Sequence, residues 1–227
     1  DTVKVKLLNS LASAYVSADM FDEALNEAGN ALDVAGRLND RKYIALAYHN
    51  LGNAYRGKSD HERALEFYNK SLAIRLQLGD PKSIAVTYAH LGSLYRQKGD
   101  FYMSKKFQLM ALEIRDKLGD KKEIIGSLNA LGNAHTELGQ YTEAMSYFLK
   151  ALKLAESTGD LIDLASLYNN IGRLHNLRLD NKNALDCYRK ALEYNLKSGN
   201  RKWIATNLNN IGTIYDKKGD TLSALDH

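Results

Sequence analysis

The chain has 227 residues, 44% hydrophobic, 26% charged and 9% aromatic, with one proline and 16 glycines. No apolar run reaches the roughly 20 residues of a membrane-crossing helix, and so little proline argues against a fold of many short strands. Thirty-one Lys and Arg against 27 Asp and Glu leave a net charge of +4, too weak a field to argue for nucleic acid, and a lone Cys187 excludes an internal disulfide or a cysteine-based metal site.

The sequence repeats every forty residues, without insertion or deletion, as 1–40, 41–80, 81–120, 121–160 and 161–200, with a partial unit over 201–227. Position 12 of the unit reads Ala12, Gly52, Gly92, Gly132, Gly172 and Gly212, and position 32 is leucine in all five complete units. Apolar residues at positions 4, 8, 11 and 15 predict a first helix, A, over about 4–17 of each unit. A second set at 24, 25, 28, 32 and often 35 predicts a helix B over about 21–38. In chain order the first unit ends its pair before Asp40, the second before Gly79-Asp80, the third before Gly119-Asp120, the fourth before Gly159-Asp160 and the fifth before Gly199-Asn200. Glycine stops a helix and Asp caps the next, with Pro81 at a first helical position and Asp120 and Glu123 at capping-box spacing. The sixth unit starts its helix B and stops at His227, which suggests a natural chain that continues, with an open C-terminal end available for self-association.

Each unit is therefore a helical hairpin, and stacked hairpins would share one core as an α-solenoid over 1–227. Glycine within a helix costs about 1 kcal/mol relative to alanine. Its recurrence at position 12, with small residues at 24, predicts a close approach of the two helices in each hairpin.

Asn50-Leu51-Gly52-Asn53-Ala54-Tyr55, with Ala144, Phe148, Ala151 and Leu152 in a helix B, resembles the tetratricopeptide repeat over the whole chain. The resemblance implies an all-α, right-handed α-α superhelix of hairpins that binds proteins or extended peptides along its concave, helix A side. The forty-residue unit ending in Gly-Asp departs from the usual unit of about 34 residues. Forty-residue versions are similar to Pins-type polarity adaptors and to bacterial signalling proteins, and the opening Asp1 to Ala12 resembles the latter. A second function follows from that likeness: a sensor or regulatory segment of a larger signalling protein such as a histidine kinase.

On helix A, positions 6, 9, 10, 13, 16 and 17 lie opposite the apolar stripe. The candidate peptide-binding residues there are His49, Asn50, Asn53, Arg56, His90, Arg96, Asn129, Asn133, Asn169, Asn170, Arg173, Asn209 and Asn210. Asparagine is a moderate-to-poor helix former, so its density calls for a reason. Its amide can hold the N–H and C=O groups of an extended peptide, with the arginines favouring acidic residues. The alternative is that these amides bond to the backbone or between helices.

Gly52 to Ser59 matches the phosphate-loop pattern G-x-x-x-x-G-K-S, but its first half falls inside a helix whose N–H groups are already bonded. His135 and His175 stand where other units have tyrosine, which predicts core packing, and Cys187 reads as an inert thiol. The expectation is a non-enzymatic scaffold with no metal or other cofactor, a protein or peptide partner, no nucleic acid and no membrane insertion.

Overall fold

A computed structural model describes residues 1–217, and these are all-helical. The eleven helices among the described residues are α1 (Thr2–Ser17), α2 (Phe21–Arg37), α3 (Arg41–Gly57), α4 (His61–Leu78), α5 (Pro81–Gln97), α6 (Phe101–Leu118), α7 (Lys121–Glu137), α8 (Tyr141–Thr158), α9 (Leu161–Leu177), α10 (Asn181–Ser198) and α11 (Arg201–Lys217). None is long and apolar enough to cross a membrane. The expected last helix B, and the open C-terminal end with it, lie outside the described residues.

Odd-numbered helices are helix A and even-numbered ones helix B. From the second unit on, helix A starts about three residues before its first apolar position. The aspartates set that start. Asp40 accepts from the N–H groups of Lys42 and Tyr43, Asp80 from Ser83, Asp120 from Glu123, and Asp160 from Ile162 and Asp163. Each such cap stabilises its helix by about 1 kcal/mol. Pro81, at the first position, has no N–H to leave unbonded.

Inside each hairpin, helix A ends with a left-handed residue at position 19: Asp19, Ser59, Gly99, Gly139 and Leu179. The next N–H reaches back to the carbonyl of position 15, as in Asp60 to Tyr55 and Asp100 to Tyr95, both 2.9 Å. This six-to-one bond is a Schellman closure, and it turns the chain directly into helix B.

The chain forms two compact units, Asp1–Leu118 and a second beginning at Gly119. In the first, each helix A packs on its own helix B, α2 and α4 also pack on the next helix A, and α1 packs on α3. In the second, α7 with α8, α9 with α10, and α10 with α11 pack in the same way, and α7 meets α9.

The position 12 glycines allow the close approach expected within a hairpin: a Cβ on Gly172 would lie 3.3 Å from the carbonyl oxygen of Ala184, at position 24 of helix B. A Cβ on Gly52 would lie 2.6 Å from Cδ1 of Tyr68, and one on Gly172 would lie 2.8 Å from Cδ1 of Tyr188. Gly132 gives the same room to Phe148. The missing side chain is thus the seat of the position 28 ring from helix B, and Tyr68 and Phe148 are fully buried there. Full burial of such a ring is worth about 1.5–3 kcal/mol, which offsets the glycine's cost. In the first hairpin, Ala12 replaces the glycine and buried Ala28 replaces the ring.

Candidate functional site

Helix A carries its polar residues on a face that is also where successive A helices meet. In the first unit Asn50 Nδ2 donates to Asn9 O at 3.1 Å and to Asn9 Oδ1 at 3.0 Å. Asn9 Nδ2 in turn donates to Val5 O at 3.0 Å. One hairpin further, the rings of His49 and His90 stack with centroids 4.6 Å apart. In the second unit Asn170 Nδ2 donates to Asn129 Oδ1 at 2.8 Å, and Asn210 Nδ2 to Asn169 Oδ1 at 3.0 Å. All four pairs join position 9 of one repeat to position 10 of the next. They are the rungs of an inter-repeat ladder.

This placement corrects part of the sequence reading. His49, Asn50 and Asn53, expected on an open surface, are only 5%, 3% and 9% exposed. A buried amide without a partner is costly, and the adjacent helix A supplies that partner. Of the remaining candidates, His90, Asn129, Asn169, Asn170 and Asn210 are half-buried by the same ladder. Arg56, Asn133 and Arg173 are half-buried further out, while Arg96 and Asn209 are exposed. Along positions 13 and 16 the exposure is therefore uneven: Asn53 and Thr136 are buried, Ser93, Asn133, Arg56 and Arg173 are half-buried, and Arg96 is exposed, as is Asn209 at position 9.

The first unit builds a denser cluster around its imidazole rung. Asn53 Oδ1 accepts from Tyr68 Oη at 2.7 Å and lies 2.6 Å from His90 Nδ1. An amide oxygen only accepts, so Nδ1 carries the proton of a neutral His90 ring. Arg56 Nε donates to Tyr68 Oη at 3.2 Å. Beneath them Arg75 Nη1 donates to Ser83 O at 2.8 Å and to Thr87 Oγ1 at 2.6 Å. Burial, with Arg56, Arg75 and Arg115 around it, lowers His90 to about 3. Burial, then His90, Arg75 and Arg56, also hold His49 well below its ordinary value. Burial pushes Tyr68 up to about 12 and draws Arg75 down to about 10, the latter partly offset by Asp80. Both imidazoles are thus neutral at neutral pH, and the arginines supply the positive charge.

The second unit has the same register with different chemistry. Asn129 also donates to Ser166 Oγ at 3.2 Å, and Asn207 to Asn169 Oδ1 at 3.1 Å. Arg173 pairs with Glu137 at 3.0 Å, so its charge is answered from the neighbouring helix A. Asn195 Nδ2 reaches Asn207 Oδ1 at 2.7 Å, in the place where the first unit has Arg75 and Thr87.

Sequence reasoning missed Asn9, Tyr68, Arg75 and Asn207 as members of these networks. The offset of 41 residues between Asn9 and Asn50, repeated by Asn129 and Asn170, was the available signal. His135 is buried and stacks on Tyr147 at 5.1 Å, as expected of a core residue. His175 departs from that expectation: it is half-buried, with Nδ1 3.1 Å from Asp180 in the hairpin turn. Burial raises the Cys187 thiol, as befits an unreactive one. Gly52 to Gly57 lies within α3, so the phosphate-loop pattern has no strand-to-helix turn. Lys58 from that pattern pairs with Asp22 at 2.5 Å. Among the described residues no group of three His, Cys, Asp or Glu could hold a metal ion.

The geometry can be set beside known proteins. BtubC (BKLC) from P. vanneervenii is similar in fold, at TM-score 0.76 and 21% identity over 91% of this chain and 87% of that one. A Rap protein complexed with Competence and Sporulation Factor matches at TM-score 0.71 and 17% identity, over 97% of this chain and 66% of that one. A STAND protein with a tetratricopeptide repeat sensor, from Pyrococcus horikoshii, matches at TM-score 0.75 and 17% identity, over 97% of this chain and 34% of that one. No curated protein matches the sequence. A family model of the tetratricopeptide repeat matches residues 5–77, 83–157 and 163–227. With that match covering nearly all of its length, the chain belongs to the tetratricopeptide repeat family.

Proposed function

We propose that the chain is a non-enzymatic scaffold, a single array of five complete repeats and a partial sixth, that binds an acidic, extended protein segment along the helix A face of its first unit. One observation carries this reading. Positions 6, 9, 10, 13, 16 and 17 of the first three repeats include Lys6, Arg56 and Arg96, and no carboxylate. In the second unit position 16 holds no arginine, and the Arg173 at position 13 is answered by Glu137. A segment with Asp or Glu would meet Arg56 and Arg96, while half-buried Ser93, one turn before Arg96, offers a hydrogen bond to its backbone. That the Rap protein is a complex with Competence and Sporulation Factor supports a ligand-binding role for this fold.

The test compares wild type with Arg56→Ala/Arg96→Ala in capture of partners from the source cell, after circular dichroism shows both folded. Loss of a partner by the variant, with binding that weakens as salt rises, is the expected result. Equal recovery by both proteins would place binding elsewhere.

A second reading, a sensor segment of a larger signalling protein, is favoured by the likeness to the STAND protein's repeat sensor. A full-length gene with no output domain would end that reading.

A further inference from the structure

The helix B side of the second unit holds a surface unlike its equivalents. Residues of α8 from Thr142 to Lys153, spaced three or four apart, line an open groove of about 720 Å³ together with Arg178. This stripe rises roughly 16 Å, three helical turns. Met145 and Leu149 lie one turn apart on it, and Leu149 is 53% exposed. Lys150, Lys153 and Arg178 supply three positive charges, and no carboxylate lines the groove. The six matching helix B positions carry acids in every other complete repeat: Asp22 and Asp33, Glu62 and Glu66, Glu113, and Asp186 and Glu193. The fourth repeat alone has none.

A separate observation marks the same place. Leu179, next to Arg178, has φ 61 and is 84% exposed. The two preceding repeats have Gly99 and Gly139 there. A leucine held in the left-handed region is strained, and no burial of its side chain compensates. The conformation itself is the Schellman closure shared by every complete hairpin, so what sets this repeat apart is an exposed leucine where its two predecessors have glycine.

We propose that this groove docks an acidic amphipathic helix of a partner protein. One apolar ridge of that helix seats on Met145 and Leu149, and Asp or Glu on its flanks meet Lys150, Lys153 and Arg178. Methionine suits such a seat because its side chain adapts to the ridge it receives. Spacing of i, i+4 on the seat matches the anchors of a helix laid in a groove.

The test uses a synthetic sixteen-residue Ala/Glu helix with leucines at i, i+4, i+7 and i+11, titrated into the 15N-labelled protein, and a twin with Lys in place of Glu. The acidic peptide is expected to shift the amides of 142–153 and 177–180 saturably, and the lysine twin is not. Lys150→Glu/Lys153→Glu/Arg178→Glu and, separately, Leu149→Asp are each expected to weaken binding at least tenfold, with helicity unchanged by circular dichroism. Absence of saturable shifts at these amides, or equal affinity in both variants, would overturn the proposal. So would occupation of the groove by phosphatidylserine vesicles or duplex DNA in preference to the acidic peptide. Arg56→Ala/Arg96→Ala leaves this groove intact, so its failure and that of the helix A reading are told apart.

Discussion

The two units solve one problem with different side chains. In each, helix A must bring polar residues into contact with the next helix A, because positions 9 and 10 face it. The second unit uses Asn129 with Asn170 and Asn169 with Asn210, amides that donate and accept in a line. The first uses one amide rung, Asn9 with Asn50, and then an imidazole rung, His49 with His90, ringed by Tyr68, Asn53, Arg56 and Arg75. The register belongs to the repeat, whereas the chemistry of a rung is local. A neutral amide rung has no titratable group, while the imidazole rung ties its unit to pH.

That contrast can be broken most forcefully by acid. His90 falls to about 3 from an ordinary 6.5, so the unfolded chain takes up protons that the folded protein refuses. The imidazoles' contribution is therefore fully present above pH about 7 and is lost as pH falls through 6.5 toward 3. Each pH unit below 6.5 costs about 1.4 kcal/mol per proton that only the unfolded chain binds, so by pH 5 wild type should lose on the order of 2–4 kcal/mol more than His49→Asn/His90→Asn. Urea midpoints at pH 7.5 and 5.0 measure it; equal losses would show that the rung is indifferent to protonation.

Glycine seats come next. Gly52→Ala and Gly132→Ala, against the buried rings of Tyr68 and Phe148, should each cost about 1–3 kcal/mol. Gly92→Ala meets the buried Gln108, whose Nε2 donates to Ala89 O, and should cost about 0.5–1.5 kcal/mol, less than the ring seats because an unbranched side chain gives way more easily than a ring and alanine has the better helix propensity. Thermal melts of the three variants would separate the cases, and a Gly92→Ala as damaging as the others would discredit the ring-seat explanation.

Smaller effects sharpen the ladder itself. Asn50→Ala removes two bonds at a 3% exposed site and should cost about 1–2 kcal/mol. Asn170→Ala, half-buried, should cost about 0.5–1 kcal/mol. The reverse order in chemical denaturation would mean that burial does not set the worth of a rung. Least of all, a double-mutant cycle on Arg173 and Glu137 should give a coupling near or below about 0.5 kcal/mol that fades with salt.

Much of the fold was legible because forty-residue periodicity, capping aspartates and the position 19 turn are local signals. Asp80, Pro81 and Gly79 could be assigned their places without tertiary knowledge. The position 12 glycine was legible as a need for space with large side chains around it; that the position 28 side chain lies directly over it depends on how the two helices cross. The site was harder. A helical projection separates apolar from polar residues, but it does not say whether a polar face meets solvent or another polar face. Asn50 and Asn53 were therefore placed on the right side of the helix and given too much solvent. Their partners, Asn9 and Tyr68, lie in another repeat and another helix respectively, so no single-helix pattern could name them.

The ladder also makes each repeat a connector whose two ends need not be alike. The second repeat shows an amide backward, Asn50 to Asn9, and an imidazole forward, His49 to His90. The fifth shows amides both ways, Asn170 to Asn129 and Asn169 to Asn210. Repeats of identical length and backbone are therefore not interchangeable parts. Moving the fifth repeat into the second's place would set Asn169 against His90 and leave the imidazole without its stacked mate. The order of the repeats is written at their junctions, and duplications or shufflings of this array are viable only where the two exposed halves match.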